Sequence, residues 1–222
     1  MQLNRAKSVR CDWLAVKRIE TRTELEFGAL LRIYAESIPP SERKSAEQLA
    51  AMVAQPEYSF LAAVESETVV GFSITASLRG TDATLLEYMA VSPEKRGRGI
   101  GAWLFRVTIA QPQLAGKFLL VEVDSDRTNS PNNVERIRRK AFYRSLGTKE
   151  LDGLRYCMPR VSSATPPPME LLVCREQLPE FIEKSSVRSW LQSCYVQVYG
   201  MPADSPQIEA MLESLPEHVP LI

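Results

Sequence analysis

Apolar and polar positions along the chain fall into periods that outline most of its elements. Residues 58–64, 69–76 and 84–91 are short β-rich runs separated by the polar turns Glu65-Ser66-Glu67 and Arg79-Gly80-Thr81-Asp82, which predicts an antiparallel meander. Upstream, residues 11–19 alternate in part, with Leu14 and Val16 set against Asp12 and Arg18, the pattern of an edge strand. From Glu24 the period lengthens. Leu25, Ala29 and Ile33 with Phe27, Leu30, Leu31 and Tyr34 form one helical face that starts near Thr23 and stops at Pro39-Pro40. Ser45 and Gln48 have capping-box spacing and open a second helix with Leu49, Met52 and Val53 as its stripe.

Past the meander, residues 102–110 carry only Arg106 and Thr108 as polar breaks, so this helix is expected to be covered on most sides. Residues 118–123 form a short apolar strand one helix away from the strand at 84–91, and a right-handed crossover would set the two parallel and adjacent. A polar loop then leads to a helix with Val134, Ile137, Ala141 and Phe142 inward and Gly147 as its stop. Residues 154–158 and 169–174 are two further strand candidates. In the tail, Val187, Trp190, Leu191, Cys194, Tyr195 and Val198 make an apolar helical stripe ending at Gly200, and Asp204-Ser205-Pro206 caps a shorter helix with Ile208, Met211, Leu212 and Leu215.

The chemistry concentrates between the third meander strand and the helix after it. Val91-Ser92-Pro93 leads into Arg96-Gly97-Arg98-Gly99-Ile100-Gly101. A helix start leaves backbone N–H groups without partners and carries partial positive charge; the glycines let the backbone approach an anion, and Arg96 and Arg98 add charge. A Walker A loop would need a Gly-Lys-Ser/Thr ending, which is absent. A dinucleotide loop is a closer rival, because residues 97–102 read G-x-G-x-x-A and Glu122 and Asp124 follow the next apolar run. Against it, Ser92 to Arg96 intervene between strand and glycines, and the strand itself carries Glu87.

The order of strand, V-x-P, R-x-x-G-x-G and apolar helix resembles motif A of the GNAT N-acetyltransferase superfamily at every defined position. Residues 141–147, Ala-Phe-Tyr-Arg-Ser-Leu-Gly, are similar to the family's motif B, with a partial fit because Ala141 directly precedes Phe142. The resemblance runs from about residue 11 to 175. It implies an α/β (α+β mixed) fold, with a central mixed, mostly antiparallel sheet flanked by helices over residues 1–175. Residues 176–222 would then be a C-terminal helical extension that packs on the core, makes a homodimer contact, or covers the acceptor side.

Composition narrows the alternatives. The 222 residues hold 27 Lys plus Arg and 27 Asp plus Glu, and this balance gives no field for steering to nucleic acid or an anionic membrane, so neither is expected as a partner. No apolar run reaches the roughly 18 residues of a membrane span, and no signal-peptide pattern opens the sequence. Cys11, Cys157, Cys174 and Cys194 are far apart without metal-site pairing, which suggests a reduced cytoplasmic protein and no metal. The one histidine, His218, lies near the C-terminus among prolines, so Ser-His-Asp, Cys-His and histidine-zinc chemistry are not expected.

Together these features predict an acetyl-coenzyme A-dependent N-acetyltransferase acting on a small-molecule or peptide amine by direct attack. A non-catalytic acyl-coenzyme A-binding or interaction module of the same fold is the alternative. The resemblance places Met89, Ala90, Val91, Arg96, Gly97, Arg98, Gly99, Ile100 and Gly101 against the coenzyme, with a strand N–H near Met89 or Val91 polarising the thioester. An alkylamine with a pKa of about 10.4 needs a base, and Glu87, a charge inside an apolar strand, is the candidate; an edge-strand glutamate in a surface ion pair is the other reading. Tyr143 matches the family's proton donor to the coenzyme thiolate, the alternative being a structural tyrosine with its ring in the core. Arg136, Lys140 and Arg144 share a helix face that reads as solvated. Glu122 and Asp124 either help hold a cationic acceptor or are strand-end charges. No role is assigned to Asn129, Asn132 or Asn133, and residues 36–43 are expected to shape the acceptor pocket.

Overall fold

The computed structural model describes residues 13–127, 133–159 and 168–222; Cys11, Asp12, Asn129 and Asn132 lie outside them. Edge strand β1 (Leu14–Ile19) pairs antiparallel with β2 (Tyr58–Glu65), β2 with β3 (Thr68–Ser77), and β3 with β4 (Ala83–Val91). Ser66 (φ 47°) and Glu67 (φ 65°) close the β2–β3 hairpin with two positive-φ residues, the twist a tight hairpin turn needs. After helix α3 (Ile100–Ile109), β5 (Phe118–Asp124) returns parallel to β4. Helix α4 (Asn133–Ser145) follows, then β6 (Lys149–Glu150) and β7 (Met169–Cys174). β7 pairs antiparallel with both β5 and β6, giving the order β1-β2-β3-β4-β5-β7-β6. This is the expected mixed, mostly antiparallel sheet.

Helices cover both faces. Helices α1 (Leu25–Ser37) and α2 (Ala46–Met52) bury Phe27, Leu30, Ile33, Tyr34, Leu49 and Met52 on one face, and Ser45 and Gln48 form the expected capping box. Leu25 departs from expectation: at the first turn of α1 its side chain clears the sheet and is 90% exposed. On the opposite face, Ile100, Leu104 and Phe105 of α3 and Tyr143 of α4 pack on Leu86, Leu119, Val121 and neighbouring strand residues.

Two expectations fail for physical reasons. Helix α4 turns Phe142 inward as expected, but Val134 (61%) and Ile137 (48%) point outward with Ala141, and Lys140, 6% exposed, is buried instead. Lys140 meets Asp126 and Glu150 at 3.1 Å each and pairs with Glu170, so carboxylates from elsewhere in the chain satisfy its charge. Residues 154–158 take no place in a ladder although Leu154 and Tyr156 are buried and Arg155 and Cys157 exposed. The sheet edge they would occupy is taken by the chain's last residues, with Glu150 N–H donating to Ile222 O (2.9 Å) and Ile222 N–H to Glu150 O (3.0 Å).

The tail shares the core of the α1/α2 face. Helix α5 (Lys184–Gln197) buries Val187, Trp190, Leu191, Cys194 and Tyr195, and α6 (Pro206–Glu213) buries Ile208, Met211 and Leu212. Trp190 Nε1 donates to Asp82 at 2.8 Å. A small ribbon of β8 (Phe181–Glu183) and β9 (His218–Pro220) joins the ends of this hairpin. Among the described residues, no helix is long and apolar enough to cross a membrane.

Candidate active site

The glycine loop is positioned by β4 and shaped by backbone conformations that glycine permits. Ser92 N–H donates to Val70 O (2.9 Å), a short 3-10 turn covers Pro93–Lys95, and Gly97 (φ 78°) and Gly99 (φ 81°) then take left-handed conformations. Gly99 is the N-cap of α3, and no side chain caps that end, so the first helical N–H groups face outward with no intrahelical acceptor. A Cβ at Gly101 would meet Phe142 Cζ at 3.5 Å, which brings α3 and α4 close behind the loop.

The loop's arginines are tied to protein partners. Arg98 donates to both oxygens of Glu65 (2.8 and 3.2 Å) and stacks over the Trp13 ring at 4.7 Å, and Lys95 reaches the same carboxylate at 2.7 Å. Arg98 and Lys95 accordingly hold the Glu65 carboxyl below its usual value. Arg96 donates to Val91 O and Ser37 Oγ, both at 3.1 Å, and so links the loop to the end of α1. Glu65 is thus shared by two cations, while Arg96 keeps its charge against two neutral acceptors.

Beside this loop the sheet opens. β4 and β5 pair only from Ala83↔Phe118 to Leu86↔Val121, although β4 runs on to Val91 and β5 to Asp124. Ser92 and, by alternation, Ala90 face β3, so the N–H groups of Met89 and Val91 face the gap between the two strands. These are the two positions expected to polarise a thioester.

Glu87 sits where the pairing ends. Thr75 opposes Leu86 and Ile74 opposes Tyr88, so Glu87 is the extra residue of a β-bulge. The bulge sends Glu87 and Tyr88 to the α1/α2 face together. There Lys44 Nζ pairs with Glu87 Oε1, while Oε2 is buried with no hydrogen-bond partner. β4 is an interior strand and the Glu87 side chain is 5% exposed, so this pair is not the surface pair of an edge strand. Burial pushes the Glu87 carboxyl up, and Lys44 pulls it only partway back. Tyr34 and Tyr88 meet edge to face (5.0 Å), Tyr34 Oη accepts from Lys44 N–H (2.7 Å), and Tyr88 donates to Glu42 O (3.0 Å). These contacts fasten the segment at residues 36–43 and Lys44 over the gap.

On the facing strand, Glu122 follows the last paired residue, Val121, as Glu87 follows Leu86. Its carboxylate accepts from Tyr156 and, at 2.6 Å, from Tyr199. Burial pushes its pKa up; the two phenols act the other way, and the charge of Glu87 adds to the rise. Asp124 is turned to Arg139 at 3.0 Å. Sequence reasoning missed Lys44, Tyr156 and Tyr199, because each acts through a partner 34 to 77 positions away.

Tyr143 lies on the other face, packed edge to face on Phe105 (5.4 Å) in the cluster that contains Leu86 and Val121. Its hydroxyl has no hydrogen-bond partner among the described residues. Burial lifts its pKa to about 12, with Arg139 acting the other way. Its neighbour Lys140, expected on a solvated face, instead anchors the network under α4. Burial pulls the Lys140 pKa down, and Glu170, Asp126 and Glu150 more than offset that.

A mixed sheet opened between two parallel strands, with an uncapped helix start at the mouth of the gap, is a fold of GNAT type. Residues 56–148, which span β2 to α4, match the family model for the acetyltransferase (GNAT) domain. The fold is similar to that of a GNAT-family protein from Bacteroides thetaiotaomicron (TM-score 0.68, 18% identity, 84% of this chain and 99% of that one). It is also similar to an aminoglycoside 6'-N-acetyltransferase complexed with coenzyme A (0.54, 18%, 72% and 96%). The ribosomal-protein-S18-alanine N-acetyltransferase of Escherichia coli shares it too (0.52, 19%, 75% and 99%). No curated protein matches the chain.

Proposed function

We propose that this protein is an N-acetyltransferase that moves an acetyl group from acetyl-coenzyme A to a primary amine by direct attack. The observation that carries this reading is the opening after Leu86↔Val121, flanked by Glu87 on one face and Tyr143 on the other. The N–H groups of the Gly97–Gly101 loop would hold the pyrophosphate, and the N–H of Met89 or Val91 would hold the thioester oxygen as charge develops on it. Acetyl-coenzyme A supplies the activated acetyl group.

The chain's own residues manage protons. An alkylammonium cannot attack, and Glu87, raised by burial but ionised beside Lys44, takes its proton. The free nitrogen then bonds to the acetyl carbon as the carbon–sulfur bond breaks, the Tyr143 hydroxyl, kept protonated by its pKa of about 12, gives its proton to the departing sulfur, and the second proton that the nitrogen sheds on becoming an amide passes through water to restore the tyrosine. The Glu87–Lys44 pair also supports a second reading, an acyl-coenzyme A-binding module without turnover.

Thiol release from acetyl-coenzyme A across an amine panel separates the two. Release that depends on an amine and is lost in Glu87→Gln supports the enzyme. A thermal shift with acetyl-coenzyme A and no release with any amine supports the module. A shift with nicotinamide dinucleotides alone overturns both.

A further inference from the structure

Tyr143 has to release a proton from surroundings that hold it tightly. Burial keeps the phenol at about 12, whereas a thiol ionises near an ordinary value of about 8.5. Transfer from the phenol to a thiolate is therefore uphill, and the phenolate left behind needs a positive charge beside it. The side chains packed round the ring, among them Leu86, Phe105, Val121 and Phe142, are apolar, and Cys174, whose own pKa burial raises, is the one titratable neighbour in that cluster. Helix α4 supplies the charge. Residues four apart share a helix face, and a long helical side chain leans back over the preceding turn, so the Tyr143 ring lies toward the turn that carries Arg139. Against burial, Arg139 is the charge that acts on Tyr143, drawing its pKa down. Arg139 Nη1 donates to Oδ2 of Asp124, the last residue of β5, at 3.0 Å. Burial lifts Glu42 in the segment over the gap, Asp124 adds to the rise and Arg139 opposes it, so the same pair is felt across the cleft mouth. Lys140, on the other flank of Tyr143, is the second cation of this turn, but Asp126, Glu150 and Glu170 share its charge.

We propose that Arg139, oriented by Asp124, is a positioning residue for proton delivery: its guanidinium stabilises the phenolate that forms as Tyr143 protonates the departing sulfur. This rests on the acetyltransferase reading and adds to it the group that makes its last proton step feasible. The electron pair of the broken carbon–sulfur bond stays on sulfur and takes the Tyr143 proton, while the pair of the broken O–H bond stays on the phenol oxygen, next to Arg139. The proton shed by the new amide nitrogen returns through water to that oxygen. Asp124 has its place in this as the anchor that keeps a long, half-exposed side chain against the ring's turn. Solvent screens the outer side of the guanidinium, so the effect on the phenol is modest.

Two measurements test this. Replacement of Tyr143 by 3,5-difluorotyrosine, a more acidic phenol, lets fluorine NMR follow ionisation at this position alone, with no substrate present. Adding Arg139→Gln should move that ionisation to higher pH, and an unmoved midpoint overturns the proposal. In turnover with the amine of the panel that releases thiol fastest, Arg139→Gln should lower kcat by roughly three- to tenfold, as for a somewhat weaker general acid, and leave KM for acetyl-coenzyme A unchanged. Arg139→Lys should recover part of the loss. In a Tyr143→Phe background, Arg139→Gln should lower kcat no further, because its route runs through the phenol; the full loss in that background overturns the proposal. Arg139→Gln should also keep the wild-type thermal shift with acetyl-coenzyme A, which shows that it is folded, and loss of that shift would make Arg139 a coenzyme contact instead. Absence of thiol release by wild type with every amine would remove the acetyltransferase reading itself, whereas an active wild type with an unmoved midpoint removes the role of Arg139 alone.

Discussion

Lys44 Nζ pairs with one oxygen of Glu87 while the other oxygen of the same carboxylate is buried without a donor. The pair joins the segment between α1 and α2 to the bulge of β4, so Glu87 is held by the segment that roofs the gap. Burial raises the Glu87 pKa, opposed by Lys44, and the charge of Glu87 in turn helps to raise Tyr34, Tyr88, Glu122 and Cys194.

A raised carboxyl keeps its proton to higher pH, so its ionised, proton-accepting form is populated only above the ordinary glutamate value of about 4.3. In a pH profile of kcat/KM for the amine, the acid limb assigned to Glu87 should lie above that value. Glu87→Gln should lower turnover by about 10² to 10⁴ and abolish that limb. Wild-type turnover by this variant would remove Glu87 from proton transfer.

Tyr143 predicts the opposite side of the profile. With a pKa near 12 it stays protonated across the working range, so no alkaline loss below about pH 11 should trace to it. Tyr143→Phe should lower kcat by about 10² or more while leaving the acetyl-coenzyme A thermal shift intact. An unchanged kcat would leave the ring with a packing role alone.

At Gly99 the left-handed φ of 81° coincides with the first turn of α3. Gly99→Ala should cost roughly 1–2 kcal/mol in that conformation and turn the free N–H groups away from their anion. Thermal shifts should show weaker acetyl-coenzyme A binding and a modest fall in the melting temperature without ligand. Unchanged coenzyme affinity would count against backbone recognition of the pyrophosphate.

Lys140→Met removes the cation that Asp126, Glu150 and Glu170 share, although Arg127 still pairs with the two glutamates. Breaking a buried pair of this kind costs about 3–5 kcal/mol, and urea denaturation should show a loss near the lower end. Adding Glu170→Gln to the same chain should recover part of it.

Thiol accessibility checks the tail against the sheet. In a Cys11→Ser background, Cys157 is exposed, whereas Cys174 is buried with a pKa raised to about 11 and Cys194 is buried on the inner side of α5 with its pKa raised well above the ordinary value. A disulfide reagent at pH 8 should titrate one thiol quickly and the other two only on unfolding. Fast reaction of Cys194 would show that α5 is not docked in solution.

The fold was legible where local pattern and tertiary role agree. Ser45 and Gln48 form the capping box their spacing suggests, and the glycines after Val91 mark a turn that only their conformations permit. It was illegible where a polar residue finds its partner far along the chain. Lys140 looks like a surface residue until Glu150 and Glu170 are brought under it. Leu154 to Met158 look like a strand because their burial alternates, but the edge they would pair with belongs to Ile222. Glu87 could be singled out as an odd charge in an apolar run; its bulge, its lysine and the companion carboxylate could not, since each depends on the register between strands.

The two phenols on Glu122 reach it across unequal spans, 34 positions for Tyr156 and 77 for Tyr199. Meander and glycine loop close through near neighbours, whereas the Tyr199 contact waits for a long loop to form and for α5 to dock. During synthesis, when folding proceeds from the N-terminal side, the meander and the glycine loop are assembled first and the Tyr199 contact last. A nascent chain halted ahead of α5 would already have Glu122 and its first phenol but not the second.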